Sequence, residues 1–528
     1  MFKKIAFGIS VSVGALVVAW GVIGLNGPKD DRDIALSSLH LGQPEGCDSV
    51  VTTGWFGGKP GAISDALGTA ADGSRLCIAS GRYEDAIRVD AAVEIIGFGS
   101  TPPVIISSTP ADVVQWHAKG GLLENLVLIQ AGGVPSGSSV TGQNGSRVFR
   151  IGQPSYFDDE AHSGPTLVNS QVRMSHVAIE NDIFSGVFAS GPEAALDMSH
   201  SVISNSAEAG VLAINGAKVT LAQVEISKSN NEGIRLDTGA QLHAQEINIS
   251  ESGRSGVYSQ NKAGFEISDS SIKTHGGPGI TMGHRSGAVA VLDTEIVGMT
   301  AKASWGIGMR GGTDLRLERI TLSQQRDGLM CLPVISGPDT KPLRVDIRDS
   351  RIIKNDGWGV LASGHCDVRV DDSTISGNRS GGIENGGVVA VSESRLIENG
   401  RADAGIYGGA GLLSKPASVL SMSDTEISGN RPNGLALSAG AHVDIATTRI
   451  HGNLEAGIVM PVLPKGNLTS YTRDMDRLRA THDLGAAVAE MRFQDVTMAA
   501  HPKGTWRLDT GYLEDGDYIE PVIHGLER

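Results

Sequence analysis

Apolar and polar residues alternate through most of this chain in short runs that recur with a fixed period. In Val219-Thr220-Leu221, for example, apolar and polar side chains alternate, as they do along a strand whose successive side chains point to opposite faces. Each repeat contains an aliphatic residue, a small polar residue three positions later, and then Gly followed by an aliphatic. The first aliphatic recurs about every 23 residues (226 to 249, for example), at Val202, Ile226, Ile249, Ile272, Ile296, Ile320, Ile352, Ile375, Leu396, Ile427 and Ile450.

A fixed period of this size is typical of a solenoid, in which each unit is stable only when stacked on its neighbours. Each unit holds two or three strand-like runs separated by Gly, Asn, Asp or Ser, as turns require. Parallel strands need a crossover, which the rest of each coil provides. We therefore predict an all-β, right-handed parallel β-helix solenoid of about 14 coils. It should comprise residues 61–466, with an N-terminal cap helix and a mixed α/β C-terminal cap over residues 467–528.

The repeat also predicts polar columns inside the solenoid. Two residues before the aliphatic, parity places a column of hydroxyls inside, where they can bond along the stack: Ser270, Thr294, Ser350, Ser373, Ser394, Thr425 and Thr448. Three residues after the aliphatic comes an asparagine column: Asn205, Asn355, Asn378, Asn399, Asn430 and Asn453. Asparagine tolerates left-handed backbone, and its amide can bond to the copies above and below. We interpret this column as a structural ladder and not as a catalytic site.

Composition supports a solenoid and limits the partners. The 528 residues include 70 Gly, about twice the usual share. A solenoid core grows in one dimension, so this length requires no division into several globular domains. The formal net charge is −15, whereas binding to nucleic acid needs a cationic face. We therefore expect no nucleic-acid partner.

The N-terminus predicts export. Lys3 and Lys4 precede an uncharged apolar stretch from Ile5 to Leu25, which is long enough to span a bilayer. A positive flank before such a stretch keeps the start in the cytoplasm and exports the rest. No clear cleavage site follows, so we favour a signal-anchor over a cleaved signal peptide for residues 1–28, with residues 29–60 as linker and N-terminal cap. The expected location is the periplasm or cell surface, with membrane contact through this segment, or outside the cell if it is cleaved.

Four cysteines fit an exported protein. They allow three pairings. The pairs Cys47–Cys77 and Cys331–Cys366 are the most economical, because each closes a short loop. Cys331 and Cys366 both fall at inward strand positions, so two free core thiols are the alternative. The spacings suit no zinc site.

Residues 46–130 carry a second pattern. Ile63 and the apolar residues up to position 70 share one helical face, so a short amphipathic helix there should cover the open end of the coil. A turn with Gly81, Tyr83 and Asp85 follows. This opening resembles that of pectin-methylesterase-like and copper-accessory-type β-helix proteins, and the later units resemble the repeat of the pectin-lyase-like superfamily. The resemblance covers about 60–460 and implies the fold, since this superfamily includes lyases, hydrolases, esterases, epimerases, adhesins and binding proteins.

The catalytic motifs of that superfamily are missing from the chain. Leu-Gly-Arg-Pro-Trp of the esterases and Asp-Pro-His-Glu of the mannuronan epimerases are absent, and the polygalacturonase motifs occur only as fragments in the wrong order. A lyase or epimerase needs less, namely a cation to neutralise a uronate carboxylate and a base to take the adjacent proton. Candidate bases near the middle of the solenoid are Tyr258, Lys262, Lys273, His275 and His284. Each is better explained as a solvated surface residue.

Two outward columns carry charge in the C-terminal half. The position before the inward aliphatic holds Arg319, Arg351, Arg395 and Arg449. Arginines two coils apart lie roughly 10 Å apart, about one disaccharide of an extended glycan, so this column is a candidate anionic-glycan stripe. The alternative is that they pair with nearby acids, which stabilises little at a surface. The position three before the aliphatic holds Asp349, Asp372, Glu393 and Asp424, where stacked carboxylates could hold calcium, although Asp is also a good turn residue. We expect no other cofactor.

Two functional hypotheses follow. The first is an exported, membrane-tethered β-helix protein that binds polysaccharide or a cell-envelope protein without chemistry. The second is a carbohydrate-active enzyme, a uronate polysaccharide lyase or epimerase acting on an outward face. The missing motifs favour binding, as does an aromatic content of 4%, because sugar clefts usually offer aromatic platforms. The resemblance also implies a copper-accessory role, but the chain has no cluster of His, Met and Cys of the kind that copper prefers.

Overall fold

The computed structural model describes most of the chain between residues 45 and 525. The described ranges are 45–53, 59–108, 112–131, 149–152, 170–181, 184–274, 276–298, 304–311, 314–332, 342–403, 409–438, 440–461, 463–464, 490–499, 501–502, 506–509, 518–519 and 522–525. The protein is a right-handed parallel β-helix of about 15 turns, which confirms the predicted fold with one coil more than expected. Within these ranges no helix is long and apolar enough to cross a membrane.

Each regular coil contributes three strands, which stack into parallel ladders A, B and C. Ladders A and B form one 30-stranded sheet. Ladder A contains Ser49–Val51, Arg75–Ala79, Glu94–Phe98, Gln241–Gln245, Gly264–Ser268, Val289–Leu292, Asp314–Glu318, Leu343–Arg348, Cys366–Asp371, Val388–Ser392, Val419–Ser423, His442–Ala446, Glu490–Gln494 and Val522–His524. Ladder B contains Arg82–Glu84, Val104–Ser107, Asn248–Ser252, Ser271–Thr274, Glu295–Gly298, Thr321–Ser323, Arg351–Ile353, Thr374–Ser376, Arg395–Ile397, Glu426–Ser428, Arg449–His451 and Thr497–Met498. Four longer strands run through both, Leu122–Gln130, Gln171–Asn181, Ala195–Ser204 and Lys218–Ser227.

Ladder C is a separate 16-stranded sheet. It contains Ile87–Val89, Val114–Trp116, Phe149–Gly152, Val187–Ser190, Val211–Ile214, Ile234–Leu236, Val257–Ser259, Ile280–Met282, Trp305–Met309, Asp327–Cys331, Trp358–Ala362, Gly381–Asn385, Ala410–Ser414, Asn433–Leu437, Ile458–Pro461 and Trp506–Asp509. The short strands Leu463–Pro464 and Tyr518–Ile519 pair antiparallel beside it. The predicted boundary between β-helix and C-terminal cap falls in residues 465–489, outside the described residues, and stays a prediction.

The aliphatic column lies in the core, with two corrections to the predicted register. Its members are fully buried and pair coil by coil: Ile203, Ile226, Ile249, Ile272, Ile296, Leu322, Ile352, Ile375, Leu396, Ile427 and Ile450. The predicted members Val202 and Ile320 were wrong. Ile203, the neighbour of Val202, takes the inward place in the column. Ile320 also points inward, but it lies two residues before Leu322, which is the residue that stacks in the column. There the Ile320 amide donates to Ser350 Oγ at 3.2 Å.

The polar columns are bonded inside the core. Ser350 N donates to Ser373 Oγ at 3.1 Å, and Ser373 N donates to Ser394 Oγ at 3.0 Å. The asparagine ladder runs from Asn355 to Asn453, each side chain bonded to the next. Asn205 does not belong to it, because its backbone is left-handed (φ 55°) and its amide donates to Glu180 Oε1 at 2.9 Å.

The N-terminal pattern forms a short helix, α1 (Ala62–Leu67), held by the turn that follows it. Asp85 accepts hydrogen bonds from the backbone amides of Ile63 and Ser64, at 3.0 and 3.1 Å, and from Ser64 Oγ at 2.6 Å. A carboxylate at the start of a helix satisfies amides that have no partner within the helix. Tyr83 is buried and donates to the Ala79 carbonyl at 2.8 Å. In this chain the Gly-x-Tyr-x-Asp turn therefore has a structural role; that α1 acts as a cap stays a prediction.

Two disulfides join neighbouring parts of the solenoid. Cys47 is bonded to Cys77 and Cys331 to Cys366, with Cα–Cα distances of 5.8 and 6.3 Å, which lie within the usual range. The first ties the segment before α1 to ladder A, and the second joins the end of a ladder C strand to the ladder A strand that begins one coil later. The predicted signal-anchor lies within residues 1–44, outside the described residues.

Candidate functional site

Aromatic and arginine side chains gather on the outward face of ladder C. The residue that precedes the repeat Gly is Trp305 in one coil, Asp327 in the next and Trp358 in the one after. Tyr258 projects from the same ladder two coils earlier than Trp305. The aromatic–arginine face comprises Arg235, Tyr258, Trp305, Arg310, Arg326 and Trp358. It brings together two of the six tryptophans of a chain that is poor in aromatics.

Trp305 lies against the sheet between two guanidinium groups. A Cβ on Gly308 would come within 2.0 Å of the indole Nε1, so only glycine leaves room for the ring there. The guanidinium carbons of Arg310 and Arg326 lie 5.4 and 5.5 Å from the ring centroid, within the range of cation–π attraction. Both arginines are exposed. Their charges are therefore fixed beside the indole and still reachable from solvent.

Asp327 ties this cluster to the next tryptophan. Its Oδ1 accepts the backbone amide of Trp358 at 2.9 Å, and its Oδ2 accepts Arg326 Nε at 3.1 Å. Asp327 is 8% exposed, so a partly buried carboxylate orients Arg326 over Trp305. Arg310 forms no ion pair with any described residue. It is the cation of this face that is free to meet a ligand.

Tyr258 extends the face toward the N-terminal coils. Its ring lies 5.9 Å from the guanidinium carbon of Arg235, and its hydroxyl donates to Gln260 Oε1 at 2.7 Å. Burial raises the pKa of the Tyr258 phenol, with Arg235 and Arg310 opposing that effect and Asp237 adding to it. The phenol is therefore protonated at neutral pH. It can donate a hydrogen bond but is a poor base.

Two buried donors on this face have no acceptor among the described residues. They are the indole Nε1–H of Trp305 and the Nε–H of Arg235. A buried donor without a partner is costly, and such groups in native structures call for an explanation. Both atoms are covered by the protein itself, so a ligand at the surface does not reach them in this conformation.

The predicted arginine stripe lies on ladder B and loses one member. The register places Thr321, Arg351, Thr374, Arg395, Glu426 and Arg449 in one column. Arg351, Arg395 and Arg449 are exposed and form no ion pair with a described residue; Glu426 pairs instead with His451 at 3.2 Å. Arg319 does not belong to the stripe, because the two-residue error at Ile320 shifts it into the turn. There it binds Asp293 and Glu318.

The predicted acidic column occupies a left-handed turn between ladders A and B. Asp349, Asp372, Glu393 and Asp424 have φ values of 48°, 43°, 47° and 49°, a conformation that Asp tolerates better than most residues. A hydrogen bond with the Asp372 carboxyl raises the pKa of Asp349. No group of three His, Cys, Asp or Glu in the described ranges is placed to hold a metal ion. Calcium binding at this column stays a prediction, and the turn conformation accounts for the acids without it.

Of the candidate bases, Tyr258 alone lies on the aromatic–arginine face. Lys262 and His284 are exposed in the turns that follow ladder C, and Lys273 is exposed on ladder B. His275 lies outside the described residues. Sequence reasoning missed Trp305, Arg310, Arg326 and Trp358 as a group. Both tryptophans directly precede the repeat Gly in the sequence, and this shared position is the signal that could have grouped them. The predicted columns are defined only by their distance from the aliphatic residue and do not include it.

Stacked parallel coils with an asparagine ladder define a right-handed parallel β-helix protein. The family model described as "Right handed beta helix region" matches residues 155–296, 239–399 and 334–470, which is more than half of the chain. The chain belongs to this family. No curated protein matches it.

Several solved structures show a distant similarity to this chain. Tailspike protein 2 of Escherichia coli O157:H7 bacteriophage CAB120 is 10% identical with a TM-score of 0.38, over 55% of this chain and 40% of the tailspike. The catalytic unit of a GH87 α-1,3-glucanase from Streptomyces thermodiastaticus is 14% identical with a TM-score of 0.36, over 88% of this chain and 71% of the glucanase. The Streptococcus pneumoniae surface protein and adhesin PfbA is 11% identical with a TM-score of 0.30, over 85% and 95%. The chain thus spans less than half of the tailspike.

Proposed function

We propose that this protein is an exported β-helix protein that binds an acidic polysaccharide on the aromatic–arginine face of ladder C. The observation that carries the proposal is the Trp305 indole held between Arg310 and Arg326. Sugar rings present apolar C–H faces that pack on aromatic rings, and guanidinium groups pair with carboxylates or sulfates. One surface here offers both.

The exposed arginines support an acidic ligand on this face. The free Arg310 supplies a charge for an acidic group. Since the arginines that flank Trp305 are already oriented by Asp327 and by the indole, little side-chain entropy is lost when the ligand binds.

Binding without chemistry is favoured over catalysis by one observation. A lyase or epimerase requires a base that accepts a proton, whereas burial raises the pKa of Tyr258, the candidate base on this face. The uronate lyase or epimerase is the second candidate function, supported by Arg235 and Arg310 beside that phenol. Incubation with polygalacturonate or alginate separates the two, because a lyase generates unsaturated products with ultraviolet absorbance and a binding protein does not.

Export and tethering complete the proposal. Lys3 and Lys4 before the apolar Ile5–Leu25 segment, together with four cysteines, support placement in the periplasm or on the cell surface with that segment as an anchor. Protease added to spheroplasts should then digest the repeat region. Digestion only after lysis would reject this topology, while the ladder C proposal would stand on its own binding data.

The direct test measures binding to polygalacturonate, alginate and chondroitin sulfate by isothermal calorimetry. Trp305→Ala and Arg310→Ala should each weaken binding, because each loses about 1 to 2 kcal/mol of contact, or roughly 5- to 30-fold in affinity. Arg88→Ala is the matched control, since Arg88 is also exposed but lies on an N-terminal coil of ladder C. Wild-type protein that binds none of the three polymers, or Trp305→Ala and Arg310→Ala variants that bind like wild type, would reject the proposal.

A further inference from the structure

A depression lies on the outward face of ladder A, away from the aromatic–arginine face of ladder C. It has a volume of about 540 Å³. Its lining includes Ala288 and Ala290, the outward residues of one coil, and Phe265 of the preceding coil, which is in register with the inward Val289 and is 5% exposed. In register, Ala290 lies between Glu266 of the preceding coil and Arg316 of the following coil. Glu266 and Arg316 are two coils apart, roughly 10 Å, and the lining continues beyond both, from Gln241 to Arg369. The depression is therefore a groove along several coils, with the small Ala288 and Ala290 between Glu266 and Arg316. We name it the alanine slot.

The C-terminal wall of the alanine slot alternates in charge in both directions. Along one strand Asp314 precedes Arg316, and along the next Arg344 precedes Asp346. In register Asp314 stands opposite Arg344 and Arg316 opposite Asp346. The four charges sum to zero, and because each is surrounded by the opposite sign, their field cancels over a short distance. The wall therefore attracts neither polyanions nor polycations from afar.

Several of these groups are free to bond a ligand. Asp314, Arg344 and Asp346 form no ion pair within 4.0 Å with any described residue, whereas Arg316 is bonded to Glu318. Each guanidinium can donate and each carboxylate can accept. The alanine slot thus combines an apolar floor with alternating donors and acceptors along one wall.

We infer that the alanine slot binds a neutral, hydroxyl-rich glycan chain, at a site separate from the aromatic–arginine face. A sugar hydroxyl both donates and accepts, so consecutive hydroxyls match alternating carboxylate and guanidinium groups. The apolar floor packs against the C–H face of the ring. An acidic glycan would instead meet Glu266, Asp314 and Asp346, and like charges disfavour it. This inference goes beyond the acidic-polysaccharide proposal and requires no part of ladder C.

The test blocks the alanine slot with a large side chain. Ala290→Trp places an indole in the depression, and Ala390→Trp is the matched control, because Ala390 belongs to the same outward column but lies one coil beyond Arg369, where the lining ends. The probes are immobilised neutral glucans, mannans, galactans and xylans. Wild type and Ala390→Trp should bind at least one of them, and Ala290→Trp should bind it at least roughly tenfold more weakly. Affinity should be the same at low and high salt, because a neutral ligand offers no charge to screen.

A second variant covers the case in which the indole disturbs folding. Arg344→Gln together with Asp346→Asn removes both charges while leaving polar side chains at both outward positions, and should weaken binding to the same glycan. Failure of wild type to bind any neutral glycan, or full binding by both slot variants, overturns the inference. The result is independent of the ladder C proposal: Arg310→Ala should leave neutral-glycan binding unchanged, and Ala290→Trp should leave acidic-polymer binding unchanged.

Discussion

Replacing Asn399 by alanine tests how much the asparagine ladder contributes to the solenoid. Asn399 is fully buried. Its Oδ1 accepts the backbone amide of Asn378 at 3.2 Å and the side-chain amide of Asn378 at 3.0 Å. Its Nδ2 donates to the Ile375 carbonyl at 2.8 Å and to Asn430 Oδ1 at 3.2 Å. One side chain thus bonds to the coils on both sides of its own.

The cost follows from what each partner loses. Asn430 Oδ1 keeps the backbone amide of Asn399, at 2.9 Å, and the Asn378 side chain keeps the Ile352 carbonyl, at 3.0 Å. The Asn378 backbone amide loses its acceptor and becomes a buried, unsatisfied donor, which costs about 1 to 3 kcal/mol. The Ile375 carbonyl loses a donor, at about 1 kcal/mol. We therefore expect Asn399→Ala to destabilise the surrounding coils by about 3 kcal/mol.

Hydrogen exchange measures this effect directly at the amide that loses its acceptor. In Asn399→Ala the backbone amide of Asn378 should exchange faster than in wild type, and the urea midpoint should fall. Thr374→Ala is the control, because Thr374 is outward in a neighbouring coil and surface substitutions cost about 0.5 kcal/mol or less. Asn399→Asp should be worse than alanine at neutral pH, since its carboxylate faces the oxygens of Ile375 and Asn430, and should improve on acidification. If Asn399→Ala and Thr374→Ala shift the midpoint equally, the ladder has no special role.

Three further predictions concern the core and the charged columns. Ile375→Asp buries an unpaired charge and should prevent folding, so a soluble variant with a wild-type circular dichroism spectrum would contradict the inward column. Arg351→Ala plus Arg395→Ala should weaken acidic-glycan binding at low salt, less so at high salt, with an unchanged melting temperature; equal binding by wild type would remove the ladder B stripe as a site. The pKa of Asp349 is raised by Asp372, so its contribution to stability is present below the ordinary Asp pKa and lost as pH rises through the raised value. The melting temperature of wild type should therefore fall as pH rises through that value, and Asp372→Ala should abolish the fall. A pH profile that is the same in both proteins would contradict the hydrogen bond between the two carboxyls.

The fold was predictable because one buried pattern repeats. Aliphatic residues at a constant spacing, with alternation on either side, leave few ways to bury them all, and Ile226 to Ile296 take their predicted places. The register failed where the pattern itself is ambiguous. Val202 has an aliphatic neighbour, and Ile320 and Leu322 share parity, so no local rule selects between them; stacking on the adjacent coils does. The misplaced Arg319 follows directly from that ambiguity.

The candidate site was not predictable in the same way, because outward positions are not required to bury anything. Low aromatic content argued against sugar-binding platforms, yet Trp305, Trp358 and Tyr258 come together on ladder C although they are far apart in sequence. Composition averages over the chain, whereas stacking concentrates particular residues on one face. Only the register shows that Arg310 and Arg326 flank the same indole.

In a uniform stack, an outward column of similar side chains gives a smooth surface, and a small residue within it leaves a depression. Gly308 makes room for the Trp305 ring on ladder C, and Ala290 leaves the slot between Glu266 and Arg316 on ladder A. Neither choice is needed for folding, since the inward residues of the same coils are ordinary core aliphatics such as Ile307 and Val289. Departures from a column on the outward side are therefore where ligand binding is expected. The aromatic–arginine face and the alanine slot lie on different ladders and share no residue. Substitutions in one should therefore leave binding at the other unchanged, and their effects on stability should add.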